Sequence, residues 1–434
     1  MAGRTPLRKD HNEGDLKRWL ELDSRIVATS RNIKVLSRLS WPIEIQQLFL
    51  EQWAKGNPAL PSVEYPVDDL ADSVAELGAI CDALANDDRP LPTYLWRTAD
   101  SYRELCHLLQ HAGKPEMLEH SINLYGSPDA PLSGGSLKNI DAAQHFVDIS
   151  DEYYRLAKTE EADYCLSATL LQTEMTRRLD EVFQPGMVSV AVDPHMASKA
   201  AAGATRIRLR QGTCFSEYDL EQLLQHEAFV HSLTALNGRA QPHFKSLSLG
   251  APRTTAAQEG LATFAELITG AIDINRMERI ALRVVAIERV LNGADFIETF
   301  EYFLSLGNNE MESFNSAMRI FRGAPLTGGA AFTKDSVYLH GLMEVHTFFR
   351  WAMQHQRLGL CRHLFAGRMT IADVIRLEPL FEDGTLAEPV YLPPWMVKTN
   401  GLAGYLAFSV FANKISIPEL DEEHAFHRIS DMGI

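Results

Sequence analysis

The sequence predicts an α+β protein that is predominantly helical and carries one small β-sheet. Apolar residues recur at helical spacing from about Leu16 to His120, through residues 139–182, and over most of the chain after residue 216. Strand signals are confined to Met187–Val192 and to Thr205–Arg210, where apolar and basic side chains alternate with period two. We therefore expect helices before and after one short sheet.

Residues that favour loops divide the chain. The segment that begins Tyr125-Gly126-Ser127-Pro128 and ends Ser133-Gly134-Gly135 is rich in the residues that break helices. We predict a disordered tail over residues 1–13, an N-terminal helical region over 14–124, a linker over 125–138, and a catalytic domain over 139–434.

Charge and cysteine content narrow the class of protein. The formal net charge is −16, from 57 acidic and 41 basic residues, which argues against nucleic acid or an anionic membrane as the main partner. The five cysteines are dispersed and odd in number, which favours buried thiols in a reducing compartment over a disulfide framework. The N-terminal residues have no apolar signal region and no apolar run is long enough to span a bilayer, so we expect a cytoplasmic protein.

Residues 226–231 read His-Glu-Ala-Phe-Val-His and carry the clearest chemical signal. Zinc peptidases commonly present two histidines one helical turn apart, with the intervening glutamate as general base. Here one extra residue separates the histidines, and five residues of a regular helix turn a side chain by about 140°. A π-bulge would absorb that residue, so the spacing predicts a widened helix in which His226 and His231 meet one metal ion and Glu227 is the base.

The flanking residues support a helix here. Ser216 and Asp219 form a capping-box pattern at its start, and apolar Leu220, Leu223 and Leu224 follow at helical spacing. Asn237-Gly238 is expected to end the helix as a left-handed stop.

A catalytic zinc ion needs a third protein ligand, and Glu259 is the candidate. It lies in a predicted helix over residues 255–273, among small residues that allow close helix packing, including Gly260. Glu266 lies two turns further on, almost on the same face. It is the alternative ligand, with a supporting or solvent-exposed role favoured.

Several segments together resemble a known family. The His-Glu-x-x-x-His motif and Gln258-Glu259-Gly260-Leu261-Ala262 resemble the microtubule-associated tyrosine carboxypeptidase family, whose bacterial relatives are labelled flavohaemoglobin expression-modulating QEGLA-motif proteins. The similarity extends from about Val192 to Arg350 and includes Met318–Gly323 and Lys334-Asp335-x-x-Tyr338. It implies a zincin-like metallopeptidase with zinc on the two histidines and the QEGLA glutamate, a catalytic Glu227, and carboxypeptidase activity in the eukaryotic members.

The remaining steps of peptide hydrolysis need further side chains. Tyr338 is the candidate for stabilising the oxyanion, on a predicted helix over residues 332–350, with a core tyrosine as the alternative. Arg322 and Lys334 flank a glycine-rich loop and are the candidates for binding a terminal carboxylate, although either could be a solvated surface cation. The strand with Arg206, Arg208 and Arg210 could be an edge that pairs with an extended peptide, or simply half-exposed.

We therefore predict a zinc peptidase, more consistent with a carboxypeptidase than an endopeptidase, that acts on a peptide or protein C-terminus. The alternative is a zinc-containing regulatory or binding protein without turnover. A structural zinc site prefers four protein ligands, whereas a catalytic site keeps one position open. Microtubule binding is not expected, because the filament is strongly acidic and this chain has a net charge of −16 with no long basic extension.

Overall fold

The computed structural model of the protein describes residues 12–66, 69–156, 165–194, 196 and 199–414. The predicted tail, residues 1–13, lies outside this part except for Asn12 and Glu13, which begin the first helix. Asn12 caps that helix through a reciprocal capping box with Asp15. The N-terminal helices are α1 (Glu13–Ser30), α2 (Val35–Arg38), α3 (Ile43–Ala54), α4 (Ala71–Leu84), α5 (Pro90–Gln110) and α6 (Met117–Tyr125).

The sheet lies in the middle of the chain, as predicted. After α7 (Asn139–Leu156) and α8 (Ala168–Asp180) come β1 (Ser189–Asp193), β2 (Ala200–Ala202) and β3 (Arg206–Arg210). The strand order is β1-β3-β2, with β1 parallel and β2 antiparallel to β3. β3 is therefore the central strand, so the alternative of an edge that pairs with a peptide is wrong, whereas the alternation of exposed and buried residues along β3 confirms the half-exposed strand. β2, which the sequence did not predict, lies at the edge.

The second half of the described chain is helical. Its helices are α9 (Glu217–Leu223), α10 (Leu233–Ala240), α11 (Thr255–Thr269), α12 (Ile274–Leu291), α13 (Phe296–Ser305), α14 (Glu310–Phe321), α15 (Val337–Gln354), α16 (Ile371–Glu382), α17 (Pro394–Val397) and α18 (Thr399–Ala412). A π-helical segment, Leu224–Ser232, joins α9 to α10 without a break.

The predicted helix end at Asn237-Gly238 is wrong, because α10 continues to Ala240. Asn237 donates hydrogen bonds to the carbonyls of Phe365 and Tyr391 at 2.7 and 2.8 Å. A β-carbon on Gly238 would overlap the backbone of Leu247. The Asn-Gly pair therefore serves tertiary packing here, and its glycine allows the close approach of another chain segment.

Helices α11 and α15 pack in close contact at two glycines. A β-carbon on Gly260 of α11 would overlap the backbone of Gly341 on α15, and one on Gly341 would overlap the carbonyl of Ala256. The small residues of α11 do allow close packing, as predicted, but Gly260 faces α15 and not the histidine helix. This contact holds the start of α15 against the helix that carries Glu259.

One hydrophobic cluster contains residues of the N-terminal helices, the sheet and the central helices, including Leu95, Ile207, Phe229 and Phe349. The division of the chain into an N-terminal region, a linker and a catalytic domain stays a prediction.

The cysteines differ from expectation. Cys165 and Cys214 form a disulfide, so the prediction of free thiols is wrong for this pair, whereas Cys81, Cys106 and Cys361 are buried free thiols. An antiparallel bridge between Leu166 and Phe215 brings the two chain segments together. The two cysteines are separated by 49 residues, so no local sequence pattern predicted this contact.

Cytoplasmic location stays a prediction. Within the described residues, no helix has the length and apolar character needed to cross a membrane.

Candidate active site

The two motif histidines, His226 and His231, belong to the π-helical segment, and their rings contact each other. Their ring centroids lie 4.8 Å apart and the ring planes are nearly perpendicular. The predicted capping box of Ser216 and Asp219 begins the helix that leads into this segment. The widening required by the five-residue spacing is therefore confirmed, and at nine residues it is longer than the single bulge expected.

Glu259 completes a three-residue cluster with the histidines. Its Oε2 lies 3.3 Å from His226 Nε2 and 3.4 Å from His231 Nε2. One ligand atom from each residue can be chosen so that all three lie within 4.8 Å of one another, and within the described ranges this is the one such group found. Glu259 Oε2 is buried and has no hydrogen-bond partner there.

The pKa values of Glu259 and His226 indicate which charges the cluster carries. Burial raises the pKa of Glu259, but His231, His226 and Lys334 outweigh it and hold the pKa well below its ordinary value. Burial lowers the pKa of His226, but Glu259 and Glu266 raise it well above the ordinary value. Glu259 is therefore ionised, and positive charge between its carboxylate and the imidazoles would stabilise it. Either protons on the histidines or a bound metal ion can provide that charge. Two imidazoles and a carboxylate are the ligand set of many catalytic zinc sites, so the residues fit that ion.

Glu266 supports His226 from behind. Its Oε1 accepts a hydrogen bond from His226 Nδ1 at 2.6 Å, while Gln222 and Arg276 donate to its Oε2 at 3.0 and 3.2 Å. Burial raises the pKa of Glu266, but Arg276 and His226 outweigh it and lower the pKa to about 2. When His226 is neutral, this contact keeps its hydrogen on Nδ1 and leaves Nε2, which faces Glu259, able to bind a metal ion. Glu266 is fully buried, so the solvent-exposed role is wrong, and its contact with His226 fits the supporting role that the sequence also left open.

Glu227 faces the cleft from the same segment. Two cavities, of about 330 and 350 Å³, both include it in their lining. Among the described residues its carboxylate makes no ion pair or side-chain hydrogen bond, in contrast to Glu259 and Glu266. It is partly exposed and available to a water molecule or substrate beside the cluster.

The two cavities meet over the cluster and form one cleft. They share five lining residues, which are Ala200, His226, Glu227, Arg319 and Tyr338. The first cavity extends towards Phe215, Arg276 and Arg283, and the second towards Arg322, Phe332 and Lys334. Ala200 and Ala202 place the edge strand β2 along the cleft.

Tyr338 lies where the two cavities join. It is on the first turn of α15, which begins at Val337, close to the start predicted from the sequence. The Arg283 guanidinium and Lys334 Nζ lie 5.7 and 5.9 Å from the centre of its ring. The phenol therefore lines the cleft among cations, while the ring is partly buried and packs against the hydrophobic core, so its catalytic role stays a prediction.

The predicted cations Arg322 and Lys334 both line the second cavity. Lys334 Nζ lies 3.7 Å from Glu259 Oε1, so it helps to balance the charge of the cluster. Burial and the neighbouring Arg319 lower the pKa of Arg322 from its ordinary value, and its buried Nε has no hydrogen-bond partner among the described residues. Of the three cations that line this cavity, Arg319 and Lys334 form ion pairs, whereas Arg322 forms none with another described residue.

The sequence did not single out Arg276 and Arg283, which line the first cavity beside Arg319. Arg319 donates two hydrogen bonds to Asp335, at 2.6 and 2.7 Å, and Arg283 Nε lies 3.7 Å from the same carboxylate. Burial and the neighbouring Arg319 lower the pKa of Arg283 to about 10. Arg276 and Arg283 come from α12. No motif marks them, and the seven-residue spacing that places both on one helix face is the one signal that could have found them.

Comparison with known families agrees with this arrangement. The family model of the microtubule-associated tyrosine carboxypeptidase matches residues 49–414. The chain belongs to this family. The match covers nearly the whole chain and contains every residue of the cluster and, except for Leu36, every residue that lines the cleft. The family indicates a peptidase of the carboxypeptidase type. A search of curated proteins found no match.

Proposed function

We propose that this protein is a zinc-dependent carboxypeptidase that hydrolyses the C-terminal peptide bond of a peptide or protein. The observation that carries the proposal is the convergence of His226, His231 and Glu259 beside the unpaired carboxylate of Glu227, in a cleft lined by cations. A zinc ion held by these three residues would keep a coordination position for water, which favours catalysis over a purely structural zinc site.

His226, His231 and Glu259 would hold the zinc ion. When bound, the ion would act as a Lewis acid towards water and the scissile carbonyl. Glu266 keeps His226 in the tautomer that can ligate. Lys334, at 3.7 Å from Glu259, limits the negative charge of the ligand set.

Glu227 is the proposed general base. It would take a proton from the attacking water and then deliver that proton to the leaving nitrogen. Tyr338 would donate its phenolic hydrogen to the oxygen that gains negative charge, because its ring lies where the cavities join above the cluster.

The second cavity would hold the terminal carboxylate. Arg322 and Lys334 supply the cations, and the Arg322 guanidinium forms no ion pair with another described residue, so its charge is available to a substrate anion. The substrate backbone would run beside β2, whose alanine side chains leave room along the cleft. Microtubule binding is still not expected, because the filament is strongly acidic and the chain carries a net charge of −16.

A peptide-library digest read by mass spectrometry tests this function. The wild type should shorten peptides one residue at a time from the C-terminus. A chelator should stop the reaction, and the Glu227→Gln protein should bind peptide without cleaving it. Internal cleavage products would contradict the carboxypeptidase assignment, and unchanged turnover after complete removal of metal would contradict the zinc mechanism.

A further inference from the structure

The last described helix, α18, has one face in the core and one in solvent. Leu402 and Leu406 are buried in the main hydrophobic cluster, where α18 packs against α15. Phe408 and Phe411 are 73% and 67% exposed, which makes them the two most exposed large apolar residues of the described chain. No residue of α18 lines the catalytic cleft, so the proposed peptidase function does not use this helix.

Two glycines share the exposed side with these rings. A helix turns about 100° per residue, and four residues point within about 40° of the direction opposite the buried Leu406. They are Gly401, Gly404, Phe408 and Phe411, which together form the outer face of α18. A β-carbon on either glycine would meet no other described residue within 4 Å, and neither glycine adopts a positive φ. Because glycine weakens a helix relative to alanine, the described fold of one chain gives no reason for either glycine.

We propose that the outer face of α18 binds a second copy of this chain, with the two helices antiparallel about a two-fold axis. The spacing along the helix makes this face complementary to itself. An axis level with Leu406 places Phe408 of one copy opposite Gly404 of the other, because the two residues lie equally far from it on opposite sides. The same axis places Phe411 opposite Gly401 for the same reason. Each large ring thus meets a glycine, and two-fold symmetry forms every such contact twice.

The glycines also leave room for a side chain of the second copy. Residues at i, i+3, i+4 and i+7 surround the hole that receives a side chain from a packed helix. On α18 this set consists of Gly401, Gly404, Tyr405 and Phe408. Two sides of the hole have no side chain, whereas Tyr405 and Phe408 provide aromatic walls. The Phe408 ring of the other copy can enter this hole, where contact between aromatic rings adds to the apolar burial.

Charge favours a second copy at this face. α18 has no charged residue, although 23% of the chain is charged and its net charge is −16. Copies of such a chain repel each other over most of their surface. The repulsion is weakest where neither surface has carboxylates, so an uncharged and self-complementary face is where two copies can approach closely.

The area of the outer face sets the strength of association that we expect. A fully covered aromatic side chain buries about 150–250 Å². From their exposed fractions, Tyr405, Phe408 and Phe411 would together bury roughly 300–450 Å² per copy. A standard interface buries about 800 Å² per partner, so the three rings supply about half of that area. We therefore expect a weak, reversible dimer with a Kd on the order of 10 µM.

Sedimentation equilibrium of the full-length chain tests the interface. Between about 1 and 100 µM the wild type should change from monomer to dimer. Phe408→Glu places a carboxylate at both copies of the central contact and should raise the Kd at least about tenfold. Leu48→Glu is the control, because Leu48 on α3 is 58% exposed and the substitution adds the same charge. This control should leave the Kd unchanged.

Two outcomes of this comparison overturn the proposal. One is a wild type that stays monomeric throughout, since residues 415–434 or another molecule would then cover the outer face. The other is a dimer whose Kd responds equally to Phe408→Glu and Leu48→Glu.

Gly404→Leu distinguishes the paired dimer from non-specific association of apolar surfaces. The substitution adds apolar area and removes a glycine from a helix, so it would strengthen non-specific association. It also fills the hole that receives Phe408, so it should raise the Kd of the paired dimer about tenfold. Stronger or unchanged association overturns the proposal. Both positions face solvent in one chain, so the variants should fold, which circular dichroism checks, and no measurement here depends on peptidase activity.

Discussion

Arg322 offers a quantitative test of substrate recognition in the cleft. Its guanidinium is partly buried in the second cavity, and its Nε has no hydrogen-bond partner among the described residues. A charge-assisted hydrogen bond to a substrate carboxylate is worth about 1.5–3 kcal/mol. Since about 1.4 kcal/mol changes a rate tenfold, Arg322→Met should lower kcat/KM roughly 10- to 150-fold on peptides with a free C-terminus.

Amidation of the substrate's C-terminus removes the same interaction, because it replaces the carboxylate that Arg322 would bind with a neutral amide. The assay compares kcat/KM for free-acid and amidated forms of one peptide, in the wild type and in Arg322→Met. Amidation should cost the wild type as much as the substitution does, and should cost the variant little more. Arg177→Met, at an exposed position on α8, should leave both rates unchanged. If amidation penalises wild type and variant equally, Arg322 does not bind the carboxylate, and if it penalises neither, the cleft does not recognise a C-terminus.

Three further predictions concern the framework of the site. Asp335→Asn should lower the free energy of unfolding by about 3–5 kcal/mol at neutral pH, because it breaks a buried ion pair. Burial raises the pKa of Asp335, but its arginine partners outweigh this and lower it. The stability it contributes is therefore present above its unfolded pKa of about 3.9 and is lost as pH falls towards the folded value. Urea unfolding should show a gap from wild type that is constant at pH 5–7 and narrows below about pH 4. Asp129→Asn, in an exposed ion pair, should cost at most about 1 kcal/mol and serves as control; a gap that widens in acid would refute the assignment. Glu266→Gln should weaken zinc binding about 10- to 100-fold while leaving the ligands in place, and unchanged affinity by competition with a chelator would remove its proposed supporting role. Gly260→Ala should destabilise the fold by about 1–3 kcal/mol, because its β-carbon meets the backbone of α15. Gly78→Ala, in a helix with open space, should be neutral or stabilising by up to about 1 kcal/mol, so an equal response of the two variants would contradict the close contact.

The sequence was most informative where a motif made a geometric demand. Five residues between His226 and His231 cannot bring both rings to one face of a regular helix, and this alone predicted the widened segment. The small residues around Glu259 predicted close packing against the histidine helix, whereas Gly260 makes its close contact with Gly341 of α15. Glu266 could be placed on nearly the same helix face, but whether it supports a ligand or faces solvent depends on neighbouring helices.

Features that depend on distant segments were not predictable. β2 consists of three alanines, which have low strand propensity and no alternation to detect. Arg276 and Arg283 face the cleft only because α12 packs beside α14 and the turn that holds Asp335. The Cys165–Cys214 pair has no local sequence signal, and Gly238 satisfied a helix-stop pattern while serving a contact with Leu247. In each case the local sequence is compatible with more than one structure, and tertiary packing decides which one forms.

The metal content of two variants tests the central claim most directly. Glu259 is the proposed ligand and Glu227 the proposed base, and both line the second cavity. Elemental analysis of Glu259→Gln should find one equivalent of zinc fewer than in the wild type. Glu227→Gln should contain as much zinc as the wild type and have no peptidase activity. Equal zinc content in the wild type and Glu259→Gln would contradict the proposed metal centre, and so would loss of zinc from Glu227→Gln alone.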